Sequence, residues 1–177
     1  MITESIAELS KYEEIAPVNE RRGVFLVRNK DTGQICVKKI QKIYNKDVYT
    51  RVNAQRIKGI PEIFHVSEND GTLTVIEECV SGETVESMLK RRGALSFVEV
   101  QSVAIKLCEI VERIHGMGPP VIHRDIKPSN VMITSSGEVY LLDLNAAKLE
   151  KSDETEDTVL LGTHGYAAPK QYGFGSS

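Results

Sequence analysis

The chain has no long apolar run, no closely spaced cysteines and no strong excess of either charge. Each absence removes a class of protein. No stretch reaches the roughly 20 apolar residues that cross a bilayer. The opening residues, MITESIAELS, lack the basic flank and extended apolar core of a secretory leader. Cys36, Cys79 and Cys108 are far apart, without metal-ligand spacing, and an odd count in apolar surroundings implies free thiols in a reducing compartment. A net charge of −3 and a pI near 5.9 give no electrostatic reason to expect nucleic acid or an anionic membrane as partner. Internal repeats and low-complexity segments are also missing. The 177 residues suffice for one ordinary domain, and 41% hydrophobic with 27% charged content is that of a globular protein. The expectation is a soluble, cytoplasmic domain.

What is present begins with a period of two. Tyr12–Pro17 and Gly23–Asn29 read as a strand pair, and the turn Asp31-Thr32-Gly33 leads into a third strand, Gln34–Ile40. A weak helical pattern covers Asn45–Ile57. Glu62–Glu68 and Thr72–Glu77 straddle Asn69-Asp70-Gly71, a hairpin signal. The period then changes to 3.6. Thr84–Arg92 reads as a short helix closed by Gly93. Ser96 and Glu99 form a capping box before a helix whose predicted core stripe is Val100, Val103, Ala104, Leu107, Ile110, Val111 and Ile114. Pro119-Pro120 prevents further helix.

The stretch Val121–Ile133, VIHRDIKPSNVMI, carries the chemistry. Two apolar runs, Val121–Ile122 and Val131–Ile133, flank a polar loop containing Asp125, Lys127 and Asn130. The apolar runs can be pinned in a core while the loop presents its polar groups in a cleft. A carboxylate to accept a proton, a cation near phosphate and an amide oxygen for Mg²⁺ are what phosphoryl transfer to a hydroxyl requires.

HRDIKPSN, followed by LLDLN at 141–145 and GTHGYAAP at 162–169, resembles the catalytic loop and downstream segments of the bacterial, eukaryotic-like (Hanks-type) Ser/Thr protein kinases. The resemblance implies an α+β, protein-kinase-like bilobal fold. Residues 1–80 would be an N-lobe with an antiparallel β-sheet, one helix and the hinge at its end. Residues 81–177 would be an incomplete, mainly helical C-lobe. It implies ATP and Mg²⁺ as cofactors, a protein substrate with Ser or Thr, and neither nucleic acid nor membrane as partner. By resemblance, Asp125 orients and deprotonates the hydroxyl, Lys127 neutralises the moving phosphoryl group, and Asn130 and Asp143 hold Mg²⁺. In ICVKKI, Lys38 would bind the α- and β-phosphates with Lys39 pointing outward. Val24, Cys36 and Met132 would line the nucleotide pocket, Ile76 would be the gatekeeper, the backbone of Glu77 and Cys79 would meet the adenine edge, and Glu83 would reach the ribose. Asn145, in place of a glycine, would tolerate the left-handed backbone. Thr155 and Thr158, in the acidic run Glu150–Leu161, would accept phosphate opposite Arg124, or be incidental residues of an acidic loop. Thr163 would contact Asp125 and Lys127, and His123 would be a packed structural residue.

Three features depart from the family. Between the first two strands the run Pro17-Val18-Asn19-Glu20-Arg21-Arg22-Gly23 holds a single glycine where several are expected. Arg21 or Arg22 would contact phosphate there, or the segment is a solvated turn. The helix that should supply a glutamate to the lysine has Val48 at that position, with Asp47 adjacent and out of register. After Ala168-Pro169, Lys170 stands where a glutamate is expected, and the chain stops at Ser177, short of the later helices. An apolar patch left uncovered would imply self-association or a partner. The functional reading is an ATP-dependent Ser/Thr protein kinase. The alternatives are a pseudokinase that binds nucleotide or scaffolds without turnover, and a small-molecule phosphotransferase of related fold.

Overall fold

The computed structural model describes residues 8–150 and 163–172. Five strands, β1 (Tyr12–Asn19), β2 (Val24–Asn29), β3 (Ile35–Gln41), β4 (Ile63–Asn69) and β5 (Thr72–Glu78), form one antiparallel sheet in the order β1-β2-β3-β5-β4. The β4–β5 hairpin turns as its sequence demands. Asp70 and Gly71 have φ of 48° and 69°, and such a turn matches the right-handed twist of the strands it joins. Between β1 and β2, Glu20–Arg22 make a single 3₁₀ turn, capped by the Asn19 side chain, which accepts from the Arg22 N–H at 3.2 Å. Gly23 closes it with φ 65°, and a Cβ there would lie 2.7 Å from the Ile40 carbonyl oxygen. The glycine is therefore needed for a close pass between strands.

Helix α1 (Lys46–Gln55) joins β3 to β4 and buries Val48, Tyr49 and Val52. These pack with Leu73 and Val75 of β5 and with Ile110, Ile114, Val121, Val131, Leu141 and Leu144 from the second half of the chain. One continuous core thus ties the sheet to residues of the second half as far as Leu149. The opposite face of the sheet carries a smaller cluster of Val27, Cys36 and Ile76, covered by Leu9, Tyr12, Phe25 and Phe64.

The second half holds β6 (Gly82–Thr84), α2 (Val85–Arg92) and α3 (Phe97–His115), then β7 (Val121–Ile122), β8 (Val131–Thr134), β9 (Val139–Leu141) and β10 (Lys148–Leu149). Two small sheets, β6-β8-β9 and β10-β7, accompany the two helices, so the described part of this half is less helical than expected. The short pairs have a purpose: β7 with β10, and β8 with β9, anchor both ends of the 121–133 stretch. Ser96 and Glu99 close the expected capping box on α3. The predicted stripe holds at five of its seven residues and fails at Val100 and Ala104. Ile110 and Ile114 are buried and Val103, Leu107 and Val111 pack beside them, while Ala104 is exposed and Val100 is 50% exposed. Phe97, Val98 and Ile105 are also exposed, so the first turns of α3 stand clear of the described core.

The contrast is measurable. Ile114→Ala should cost about 2–5 kcal/mol, as buried truncations do, whereas Val98→Ala should stay within about 0.5 kcal/mol. Thermal or urea denaturation followed by circular dichroism reads both, and equal costs would contradict the described packing.

Candidate active site

The loop between β7 and β8 is held from beneath by its histidine. His123 is buried, its Nε2–H donates to the Leu142 carbonyl at 3.1 Å, and its Nδ1 accepts from the Asp125 N–H at 3.4 Å. A carbonyl oxygen can only accept, which fixes the tautomer. Burial pushes the imidazole pKa down, against the backbone bond and the nearby carboxylates. Arg124 is next, with φ 63°, and its Nε donates to the Ala146 carbonyl at 2.6 Å.

Asp125 gathers the loop. Lys127 Nζ donates to its Oδ2 at 2.7 Å, Thr163 Oγ1 to its Oδ1 at 2.6 Å, and Asn130 Nδ2 to its Oδ2 at 3.0 Å and to its backbone carbonyl at 2.8 Å. Lys127 also donates to the Thr163 hydroxyl at 2.5 Å. The expected contact of Thr163 with both residues is made. Burial pushes the Asp125 carboxyl up, but the hydrogen bonds from Lys127, Thr163 and Asn130 and the lysine charge outweigh it, so the group sits below the ordinary carboxylate range. It is ionised and aimed at neutral pH.

The lysines of β3 exchange the places expected of them. Cys36, Lys38 and Ile76 lie on the outer face with Val27 and Phe25, and Lys38 Nζ pairs with Glu14 of β1 at 2.7 Å. Val37, Lys39 and Gln41 lie on the inner face, opposite Glu77, Val75 and Leu73. Lys39 is buried and its Nζ lies 2.6 Å from Glu77 Oε1. Burial opposes its charge, but the carboxylates of Glu77 and Asp143 more than restore it, and its pKa is raised. Lys38, Cys36 and Ile76, expected to face the cleft, thus face outward, and their neighbours Lys39, Val37 and Glu77 face inward. A slip of one position flips every side chain to the other face. Nothing within β3 itself separates the two lysines; their facing is set by the pairing with Leu73, Val75 and Glu77 of β5.

Asp143 follows β9 with φ 67°, a left-handed conformation expected instead of Asn145. Its Oδ1 accepts the Asn145 N–H at 3.3 Å, a local bond that favours this backbone region. The Asn145 side chain faces α1, where the Tyr49 hydroxyl lies 3.1 Å from its Oδ1 and 2.9 Å from Gln41 Oε1. Tyr49, not Val48, is therefore the helix residue directed at the site, and burial pushes its hydroxyl pKa up, keeping it a donor.

Asp125, Lys127, Asp143 and Asn145 line one cleft of about 760 Å³ together with Glu20–Gly23, Phe25, Ile40–Ile43 and Ala146. Arg21 and Arg22 thus stand on the rim where a glycine-rich loop was expected. Gln41 keeps a buried Nε2 without a hydrogen-bond partner, a donor suited to a polar ligand. Glu83, expected to reach a ribose, pairs with Arg91 in an exposed fork at 3.0 and 2.6 Å, and that hydrogen bonding holds its pKa down. Thr155 and Thr158 lie outside the described residues, as does the Lys170 side chain. No group of three His, Cys, Asp or Glu able to hold a metal occurs among the described residues. The donors that are present fit Mg²⁺ all the same. The Asn130 amide nitrogen is committed to Asp125, which leaves its oxygen, with the Asp143 carboxylate, for an ion that takes its other ligands from phosphate and water.

Residues 22–173 match the protein kinase domain family, and the chain belongs to it. Similar proteins include the probable serine/threonine-protein kinase CPE1738 of Clostridium perfringens, 30% identical over 64% of this chain and 16% of its own. Serine/threonine-protein kinase F of Synechocystis is 34% identical over 59% of this chain and 21% of its own. The probable serine/threonine-protein kinase PknB of Corynebacterium glutamicum is 32% identical over 64% and 18%. The matched stretch is at most about a fifth of each of these relatives' length. No helix among the described residues is long and apolar enough to cross a membrane.

The histidine gives a pH test. Its folded pKa lies below the unfolded value of about 6.5, so its share of stability is complete above that pH and is lost as pH falls through the folded value. Nitrogen chemical shifts should show a neutral Nε2–H ring for His123 at pH near 6.5. A ring already mostly protonated there would contradict this hydrogen-bond scheme.

Proposed function

We propose that this chain is the catalytic part of an ATP-dependent serine/threonine protein kinase that moves the γ-phosphate onto Ser or Thr hydroxyls of a protein. The observation that carries this reading is the convergence of Lys127, Asn130 and Thr163 on Asp125, on a cleft that Asp143 also lines. Asp125 would align the hydroxyl and take its proton. Lys127, within reach of the same carboxylate, would offset charge on the phosphoryl oxygens. Asn130 and Asp143 would hold Mg²⁺, which when bound supplies charge neutralisation at the phosphates. Lys39 takes the phosphate-anchoring part first given to Lys38. Val24 and Val37 on the inner sheet face, with Met132 opposite, would cover the adenine. The one-residue shift moves the adenine-edge backbone from Glu77 and Cys79 to Glu78 and Val80.

The domain division at residues 80 and 81 is kept as part of this proposal, as is a cytoplasmic setting, which suits three free thiols. Arg124 would pair with a phosphate carried by Thr155 or Thr158. The exposed Phe97, Val98, Val100 and Ile105 on α3 support self-association or a protein partner. A sedimentation coefficient that rises with concentration, and falls back when Phe97 and Val98 become Ser, would bear out self-association.

The single-glycine turn favours a second reading, a nucleotide-binding module without turnover. Transfer of labelled γ-phosphate with Mg²⁺, to the chain itself and to a generic basic protein, separates the two. Asp125→Asn should lower transfer roughly 10²–10⁴-fold. Lys39→Met should abolish it, while Lys38→Met leaves it within a few fold. An ATP-induced rise in melting temperature with no transfer would establish the second reading. Loss of transfer in Lys38→Met alone would overturn the exchange of lysines.

A further inference from the structure

We propose that Glu77 of β5 is the positioning residue for Lys39, so that the sheet itself holds the phosphate-anchoring lysine and α1 does not. The inference rests on reading the cleft as a nucleotide site.

Lys39 pairs in register with Val75, and Glu77 with Val37, which makes Lys39 and Glu77 diagonal neighbours on one face of two adjacent strands. Long side chains reach across that diagonal. The pair closes at 2.6 Å with each side chain 10% exposed. A charge this deep is costly unless it is matched, so neither residue can stand without the other. Helix α1 offers no competing carboxylate. Its buried residues are Val48, Tyr49 and Val52, and its only acid, Asp47, sits exposed in the first turn, where its N–H is bound by the Asn45 cap. What the helix sends toward the site is the neutral Tyr49 hydroxyl, bonded to Gln41 and Asn145.

The mechanical consequence follows from connectivity. In an arrangement where a helix acid holds the lysine, sliding the helix breaks the pair. Here β3 and β5 are locked by a backbone ladder from Cys36–Glu78 to Gln41–Leu73, and the ion pair lies inside it. Displacing α1 leaves Lys39 in place. The charge of Asp143 also favours the Lys39 ammonium, but the close contact at 2.6 Å is with Glu77. The Glu77 side chain therefore does the positioning expected of a helix residue, from a position that the strand register fixes.

The test measures equilibrium binding of Mg²⁺ with a non-hydrolysable ATP analogue by calorimetry. It compares the full chain with Glu77→Gln, Lys39→Met, the double variant and Asp47→Asn. Glu77→Gln should weaken binding about tenfold, the size of one hydrogen bond to a charged group. Added to Lys39→Met it should weaken binding no further, because both act through one group. Asp47→Asn should change binding less than twofold. A Glu77→Gln variant that binds like the parent, additive losses in the double variant, or a loss in Asp47→Asn alone would each overturn the proposal. Failure of the parent to bind the analogue would sink the nucleotide reading instead. The positioning claim is then read separately from the Lys39 ammonium resonance in nitrogen-correlated spectra. That signal should be slowly exchanging in the parent and in Asp47→Asn and lost in Glu77→Gln, and its survival in Glu77→Gln would overturn the claim. Lys39→Met with Glu77→Leu removes both charges together and should melt near the parent, which guards against misreading an unfolded variant.

Discussion

The backbone ladder between β3 and β5 is the constraint on which the site depends. Its register decides that Val37, Lys39 and Gln41 look inward with Leu73, Val75 and Glu77. From that follow the buried ion pair, the apolar wall against α1 and the polar contact of Gln41 with Tyr49. A ladder of this kind is set by many main-chain bonds at once, so no single side chain can move the lysine to the other face. The outer face is consequently left to a small cluster and to the exposed Lys38–Glu14 pair, which has little energetic weight.

The loop around Asp125 is built differently. It has almost no regular structure, and its geometry comes from convergence on Asp125. His123 takes the backbone N–H of that residue, Asn130 takes its carbonyl, and Lys127 and Thr163 take its carboxylate oxygens. The short pairs β7–β10 and β8–β9 clamp the two ends, so the loop is strung between fixed points of the same core that holds the sheet. Left-handed backbone at Arg124 and Asp143 turns these residues where a regular strand could not. Such conformations persist only where the surroundings over-determine them.

Local chemistry was readable from the chain. Asp70-Gly71 turned as a two-residue hairpin, Ser96 and Glu99 closed a capping box, and the octet from His123 to Asn130 forms a polar cluster facing a cleft. Each depends on residues a few positions apart. Less legible were the features that depend on a partner far along the chain. The sequence cannot say which of two adjacent lysines faces inward, because alternation is symmetric to a one-residue slip. The N-terminal turns of α3 have the periodicity of a buried stripe and are nonetheless exposed, since burial needs a second surface to pack against. The pairing of Glu83 with Arg91, across the helix that follows it, was likewise not legible in the chain.

By itself, then, the sequence determined the polar loop around Asp125, the turns, the caps and the family, because these rest on short-range covalent spacing. Tertiary structure alone decided that Lys39 and not Lys38 enters the site, that Glu77 meets it, and that Tyr49 is what α1 contributes. The physical reason is that facing and pairing are properties of two strands brought together, and buried charges take the partner that the packing supplies.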